Sequence, residues 1–438
     1  MTIEQLILGS RQIVKQLIEA IDASQIGMKE AEQRILEVVN RLGQLMVDEV
    51  VAGIQDPVVE NQVRVEGQRA VFNRMSNLRF INRFGGQTVR SRRAYKYVDK
   101  EGGWYPLDEK LGLDRCVGGY SPLLTYLQVL FGASESYERS QELLSPAVGF
   151  KVSATAIQRN TELTGARIED DPYVVIEAEK QQASCDVMVV EVDGTTSPQI
   201  HEQQGVEGRE SLKQKTEWKE CNLVVVEKYR DGKRQDRWIG ARYGRRRDFE
   251  QQVVRRAGLR MGQMKAAKVA FVADGEKTNW EIQKNNFPAS IGILDFYHAS
   301  EHLGDLCKLF AEEQQGSRRY QRWYDLLLAG EALQVIAEQK ECLKEISDKD
   351  SGWKQINYFK NNLQRMAYDE YLAAGLPIGS GLVEGACKFV VGKRFKGSGM
   401  RWKKRDNVCV LKARLAKLNG MLEEYFEARP RDWMLEAS

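Results

Sequence analysis

From Ile3 to about Ile54 apolar residues recur every three to four positions, as in Ile35, Val38, Val39, Leu42, Leu45 and Met46, with an interruption near Ser24 to Gly27. That period predicts two amphipathic helices, able to pack on their own chain or on a second copy. Between Thr88 and Leu113 the pattern shortens: VRSRRAYKYV and GWYPL, separated by DKEGG, predict a small hairpin. The stretch from Tyr120 to about Ile168 is helical again. Within it, YERSQELLSPAVGF followed by KVSATAIQRNTELTG has the proportions of helix, turn and helix, with Ser153 placed to cap the second. A DNA-reading helix-turn-helix and an ordinary packed helical hairpin share this pattern; the basic chemistry described below favours the first.

From Cys185 the pattern becomes α/β. Asp186 to Val192 reads as a buried strand, and Asn222 to Tyr229 with Arg237 to Tyr243 as a hairpin around Asp231-Gly232. Phe249 to Gly262 is helical, Lys268 to Ala273 a strand, Asn279 to Asn286 a short helix and Ile291 to Leu294 another strand. The order β-β-β-α-β-α-β matches the start of a ribonuclease-H-like fold, in which three antiparallel strands are followed by parallel additions through helices. In such a sheet the ends of the first and fourth strands are neighbours, which would bring Asp193 and Asp274 together. After Leu303 a helical stretch without strand signal runs to about Ala374, and LPIGSG breaks it before a new helix carrying Glu384. This stretch is too long for a simple connection and reads as an insertion.

The expected organisation is therefore an N-terminal helical region suited to dimerisation (1–78), a small hairpin region (79–115), a helix-turn-helix-like DNA-binding region (116–180), the first part of an α/β catalytic core (181–303), an all-helical insertion (304–375) and completion of the core with basic C-terminal helices (376–438). The 438 residues, 42% hydrophobic and 29% charged, suffice for two or three domains with cores of their own.

The net charge of +3 conceals clustering. Arg74 to Lys96 holds seven Lys or Arg and no acid, Lys233 to Arg247 seven against Asp236 alone, and Lys388 to Arg405 eight and none. Three such runs on a nearly neutral chain suit polyanion binding, although solvated faces share the same composition. The seven cysteines are scattered and contain no CxxC, which predicts neither a disulfide framework nor a cysteine-rich zinc site and fits a reducing cytoplasm. The first 25 residues are charged throughout, and no 18-residue apolar run occurs; neither a signal peptide nor a membrane span is expected.

Three carboxylates are candidates for holding Mg²⁺ against phosphate: Asp193 closing CDVMVVEVDG, Asp274 closing KVAFVADG, and Glu384 in GSGLVEGACK. Each has a structural alternative: Asp-Gly at a strand end is also a common turn, and glutamates such as Glu384 are common on helix surfaces. A second constellation is Asp295 to His302, DFYHASEHL, which carries two of the three histidines four residues apart. His298 to His302 matches the H-x-x-E-H pattern of inverted zinc proteases, the competing metal-hydrolase reading; a helix start capped by Asp295 with packed imidazoles is the simpler one.

VDGT at 192–195, VADG at 272–275, DFYHASEHL at 295–303, GSGLVEGACK at 379–388 and KGSGMRW at 396–402, with YPLDEKLGL at 105–113, resemble in order and spacing the bacterial insertion-sequence DDE transposases of the ISKra type, related to Mutator-like transposases. The resemblance covers roughly residues 80 to 420. It implies that Asp193, Asp274 and Glu384 form the catalytic triad holding two Mg²⁺ or Mn²⁺ ions, and that Asp295 and His298 form a C/D-x-x-H signature with a catalytic role. It also implies cleavage of double-stranded DNA at transposon ends and strand transfer to target DNA, by a homodimer or higher oligomer in the cytoplasm, at the nucleoid. Lys393, Arg394, Lys396, Arg401, Trp402 and Lys403, with Arg245 and Arg246, would contact DNA; Trp402 would either stack on an unpaired base or belong to the core. Relatives often carry paired cysteines before YPLDE, and RAYKYVDKEGGWYPLDE has none, so a zinc ribbon is not expected here. An inactive relative that only binds DNA is the remaining alternative.

Overall fold

The computed structural model describes residues 3–116, 118–168, 184–201, 215–427, 431 and 433–435. The chain divides into two compact units, Met1–Val174 with Lys412–Ser438, and Val175–Leu411. Residues 169–180, the end of the expected DNA-binding region, lie outside the described residues.

In the first unit the N-terminal pair forms as the periodicity requires, with helices Ile3–Asp22 and Met28–Gly53. Strands β1 (Gln62–Val65), β2 (Gln68–Ile81), β3 (Gln87–Tyr97) and β4 (Gly103–Trp104) follow, and the C-terminal strand Trp433–Leu435 pairs antiparallel with β1. The sheet order is Trp433–Leu435, β1, β2, β3, β4. The small hairpin expected at 88–113 is thus one end of a five-stranded sheet, closed by Val63, Val65, Ala70, Tyr95, Tyr97 and Trp104 without metal-binding cysteines. Three helices come next, Pro122–Gly132, Tyr137–Val148 and Ala154–Ile168. Ser153 caps the last by accepting the Ala156 N–H at 3.2 Å, and Gly149, at φ +79°, ends the middle one. Much of Ala154–Ile168 faces inward through Ile157, Asn160, Thr161, Thr164, Gly165 and Ile168, leaving Thr155, Arg159 and Arg167 exposed.

The second unit is built on a mixed sheet. Its strands are β5 (Cys185–His201), β6 (Lys215–Arg230), β7 (Lys233–Tyr243), β8 (Ala266–Ala273) and β9 (Ile291–Leu294), in the order β7-β6-β5-β8-β9. β5, β6 and β7 are antiparallel, while β8 and β9 add in parallel. Asp231 and Gly232, both at positive φ, make the two-residue turn between β6 and β7. Such a turn needs two left-handed residues, which Asp and Gly tolerate.

Alternate residues of β5 serve opposite faces. Met188, Val190 and Val192 pack with Phe249, Val254, Ala257 and Ile282. Val189 joins Val272, Ile293, Leu303, Leu306 and Trp323 in a core that runs into the helices Phe296–Cys307, Glu313–Leu328, Ala332–Cys342, Lys349–Asn362 and Tyr368–Ala373. The stretch 304–375 is helical throughout its regular elements, as its periodicity predicts. The chain then returns through helix Gly381–Ala386, a π-helical turn at Cys387–Gly392 and Lys393–Phe395 to β10 (Trp402–Lys403), which pairs in parallel with Gln199 and Ile200 of β5. Among the described residues no helix is long and apolar enough to cross a membrane.

Candidate active site

The parallel register of β5 on β8 ends at Glu191 opposite Val272. Continued by two residues, it sets Asp193 against Asp274, so two acids that close apolar runs far apart in sequence stand at adjacent strand positions. Asp274 turns toward the next helix: its Oδ1 accepts the Glu276 N–H at 3.0 Å and Asn279 Nδ2 at 2.6 Å. Asp193 Oδ1 accepts the Gly194 N–H at 2.6 Å, and its Oδ2 lies 3.6 Å from the Cys387 thiol. Burial, with the Asp193 charge beside it, pushes that thiol well above its ordinary range, so it stays protonated.

Asp295 follows β9 directly. Its backbone N–H donates to Ala273 O at 2.8 Å, which extends the sheet by one bond. The side chain is fully buried and caps helix Phe296–Cys307 by accepting the Tyr297 N–H at 2.9 Å. Its other oxygen accepts from His298 Nδ1 at 2.6 Å and from the Ser380 hydroxyl. A carboxylate offers about four acceptor positions, and three are used here. Burial alone would raise the Asp295 carboxyl, but the bonds from His298, Ser380 and the Tyr297 N–H outweigh it and hold it below its ordinary value. His298 is correspondingly raised to about 9, chiefly by its hydrogen bond to Asp295 and against its partial burial.

Glu384 completes the cluster. Asp295, His298 and Glu384 each offer a ligand atom, all within 4.8 Å of one another, and they form the one such metal-capable group among the described residues. Of the three carboxylates singled out in the sequence, Glu384 therefore stands in this group, whereas Asp193 and Asp274 are held in hydrogen bonds beside it on the sheet. Two carboxylates and an imidazole suit a divalent ion such as Mn²⁺ or Zn²⁺, and acids supplying oxygen alone suit Mg²⁺. With most of its acceptor capacity spent, Asp295 is better placed to orient His298 than to bind an ion directly.

His302 does not share this site. Its Nδ1 meets Gln355 Oε1 at 2.5 Å and its ring stacks on Tyr358 with centroids 3.6 Å apart. Among the described residues no metal-capable group of three or more side chains holds both histidines, as the H-x-x-E-H reading requires.

Two further groups shape the site. Glu191 lies two positions before Asp193 on the same face of β5 and is fully buried; Oε2 accepts the Val383 N–H at 2.9 Å, tying the start of the Glu384 helix to the central strand. Burial, opposed in part by that N–H, raises its carboxyl to about 8. A charged residue in the apolar run CDVMVVEV was the sequence signal for it. Arg246 turns inward: its guanidinium donates to Asn222 and Asn279, and Asn279 in turn donates to Asp274. Burial lowers its pKa against the opposing pull of Glu220, Glu276, Asp274 and Asp193.

The remaining basic positions divide. Arg245 is exposed and pairs with Asp248, Lys396 donates to Thr195 Oγ1 at 2.7 Å, and Arg401 and Lys403 are exposed. Lys393 is exposed as well. Arg394 and Trp402, expected to contact DNA, are instead buried: the guanidinium lies 4.8 Å from the Trp402 ring centre, and the indole N–H donates to Phe395 O at 3.2 Å. Pairing of β10 with β5 draws Trp402 inward, which leaves it the core role.

Residues 22–258 match the uncharacterised protein family UPF0236. The chain belongs to this family. The UPF0236 match includes Asp193 and Arg246 and stops before Asp274. Among solved structures, this UPF0236 chain is similar to one described as the "Drosophila P element transposase strand transfer complex", at 10% sequence identity and a TM-score of 0.38, over 68% of this chain and 92% of that one. A likeness so distant carries no functional weight. Comparison with curated proteins gives no match.

Proposed function

We propose that the protein is a DDE-type transposase that cuts DNA and joins the resulting 3′-hydroxyl to a second DNA through a ribonuclease-H-like core, with the 304–375 helices as its insertion. The observation that carries this reading is the convergence of separate chain segments at one edge of the sheet: Asp193 and Asp274 by strand register, and Glu384 within 4.8 Å of Asp295 and His298. The ordered motifs that resemble ISKra-type enzymes support it as well. Divalent ions held at Asp193, Asp274 and Glu384 would supply activation of the attacking hydroxyl and stabilisation of the leaving oxygen.

The chain's own residues have distinct tasks in this reading. Asp295 holds His298 by Nδ1, which leaves Nε2 to meet a phosphate oxygen or move a proton. Glu191 fixes the helix that presents Glu384. Asn279, itself held by Arg246, orients Asp274. Lys396, Arg401 and Lys403 would guide the DNA backbone. For the homodimer, helix Met28–Gly53 offers an outward apolar stripe, Met28, Ile35, Val39, Met46 and Val50, each at least 44% exposed and all within one narrow sector of the helix.

The test uses DNA spanning the flanks of the gene that encodes the chain, incubated with Mg²⁺ or Mn²⁺. The wild type should cleave at defined positions, and Asp193→Ala, Asp274→Ala or Glu384→Ala should each reduce cleavage at least roughly a hundred-fold while leaving DNA binding in Ca²⁺ intact. Binding without cleavage by the wild type would favour the inactive DNA-binding relative. Cleavage by the triad variants at the wild-type rate would overturn the assignment.

A further inference from the structure

A cavity of about 780 Å³ lies in the second unit between β5 and the segment 374–382. Val187 and Val189 of β5 form one wall, and Leu376, Pro377 and Leu382 the other. It adjoins the candidate site, because its lining includes Tyr297, the neighbour of His298, and Gly379 and Gly381, which flank the Ser380 bonded to Asp295. The segment is fixed there by the Phe296 N–H, which donates to Ile378 O at 2.8 Å. Gly379 lets the Tyr297 ring close against the segment: a Cβ there would lie 2.6 Å from that ring and displace it.

Three features specify the ligand's chemistry. Tyr297 is 61% exposed although it sits beside a buried capping residue, so it offers an aromatic face at the cavity. Glu191 is part of the wall and fully buried; Oε2 is taken by the Val383 N–H, while Oε1 has no hydrogen-bond partner. A buried polar atom without a partner is uncommon and leaves hydrogen-bonding capacity that a ligand can meet. The ionisable acids of the lining are Asp186 and Glu191, and it holds no Lys or Arg, so the cavity is unsuited to a phosphate group.

We propose that this cavity receives one unstacked nucleobase of the DNA substrate, with the base plane against Tyr297 and a polar atom of the base edge hydrogen-bonded to Glu191 Oε1. The inference rests on the DNA-processing reading above. A flat aromatic heterocycle with polar atoms on its edge matches apolar walls, a free tyrosine face and the unpartnered Glu191 oxygen, and its sugar and phosphates stay outside with the metal-capable group.

The experiment uses the full chain and the cleaved DNA, with Ca²⁺ replacing Mg²⁺. 2-Aminopurine, a fluorescent base with an exocyclic amine, is placed in turn at each position around the mapped cleavage site. One position should change fluorescence on binding, as expected for a base leaving the stack. Tyr297→Ala, at an exposed residue, should abolish that change and weaken binding roughly ten-fold, while Tyr297→Trp should retain it. No change at any position, or a change that survives Tyr297→Ala, overturns the proposal even if cleavage is normal. Failure of the wild type to bind or cleave any DNA overturns the DNA-processing reading and this proposal together.

Discussion

Asp295 and His298 share a hydrogen bond of 2.6 Å, Oδ2 to Nδ1, across the first turn of helix Phe296–Cys307. The folded protein raises His298 from 6.5 to about 9, so it binds that proton more tightly than the unfolded chain does. The contribution to stability is then complete below about pH 6.5 and is lost as pH rises through about 9. Asp295 is held below 3.8, so its contribution is present above that value and fades as pH falls through the lower one. The pair is thus at full strength between roughly pH 4 and 6.5. In metal-free protein, His298→Ala should lower stability by about 1 kcal/mol at pH 6, a figure reduced for solvent screening, and by little at pH 10. Urea denaturation at the two pH values measures this. An imidazole titration near 6.5 for His298 by NMR would contradict the dyad.

Glu191 should behave in the opposite sense to a paired surface acid. Its carboxyl is raised from 4.5 to about 8 by burial, so the folded state favours the neutral form. Stability is highest below about pH 4.5, declines as pH rises through the interval up to about 8, and levels off above it. Glu191→Gln retains an acceptor for the Val383 N–H and carries no charge to desolvate. The variant should gain roughly 1–3 kcal/mol over wild type at pH 9 and be nearly unchanged at pH 4.5. Thermal melts across that range decide the matter; equal pH slopes for the two proteins would show that Glu191 is not held neutral.

Much of the second unit is legible in the sequence because its elements are locally determined. The apolar runs ending at Asp193 and Asp274 are buried strands, and Asp231-Gly232 is the turn its composition demands. Less legible is whatever depends on distant partners. β2 alternates buried Leu78 and Phe80 with exposed Asn77 and Arg79, a strand pattern overshadowed by its basic residues. β1 is covered on its outer edge by Trp433–Leu435, which no local pattern announces. Glu191 finds its N–H partner at Val383, and Trp402 is drawn into the core by β5, both through contacts spanning about two hundred residues. Asp295 was legible as a cap and as part of a signature, but not the three bonds that make it a holder of His298.

Asn279 links two functional groups by accepting from Arg246 and donating to Asp274 at 2.6 Å, and it is buried. Asn279→Ala removes both bonds and leaves an inward guanidinium short of an acceptor, so it should destabilise the second unit by about 1–3 kcal/mol. If Asn279 also orients Asp274 for catalysis, metal-dependent cleavage should fall by more than the loss of folded protein explains. Cleavage per folded molecule, measured well below the melting temperature, separates the two effects. An unchanged rate would make the bond purely structural.

The two histidines of the DFYHASEHL segment should part in their response to metal. His298 lies within 4.8 Å of ligand atoms on Asp295 and Glu384, whereas His302 is held by Gln355 and stacked on Tyr358. His302→Ala should therefore lower stability by about 1–3 kcal/mol through the lost hydrogen bond and stacking, with Mn²⁺ affinity unchanged. His298→Ala or Glu384→Ala should weaken Mn²⁺ binding roughly ten-fold or more. Because an imidazole must shed its proton to ligate, binding through His298 should also strengthen as pH rises toward about 9 and release a proton that calorimetry in buffers of different ionisation enthalpy can count. Equal loss of affinity from both histidine variants would restore the H-x-x-E-H zinc reading. Affinity that ignores His298 and falls only with Asp193→Ala, Asp274→Ala and Glu384→Ala would confine the ions to the three acids and leave the Asp295–His298 pair to act on the phosphate alone.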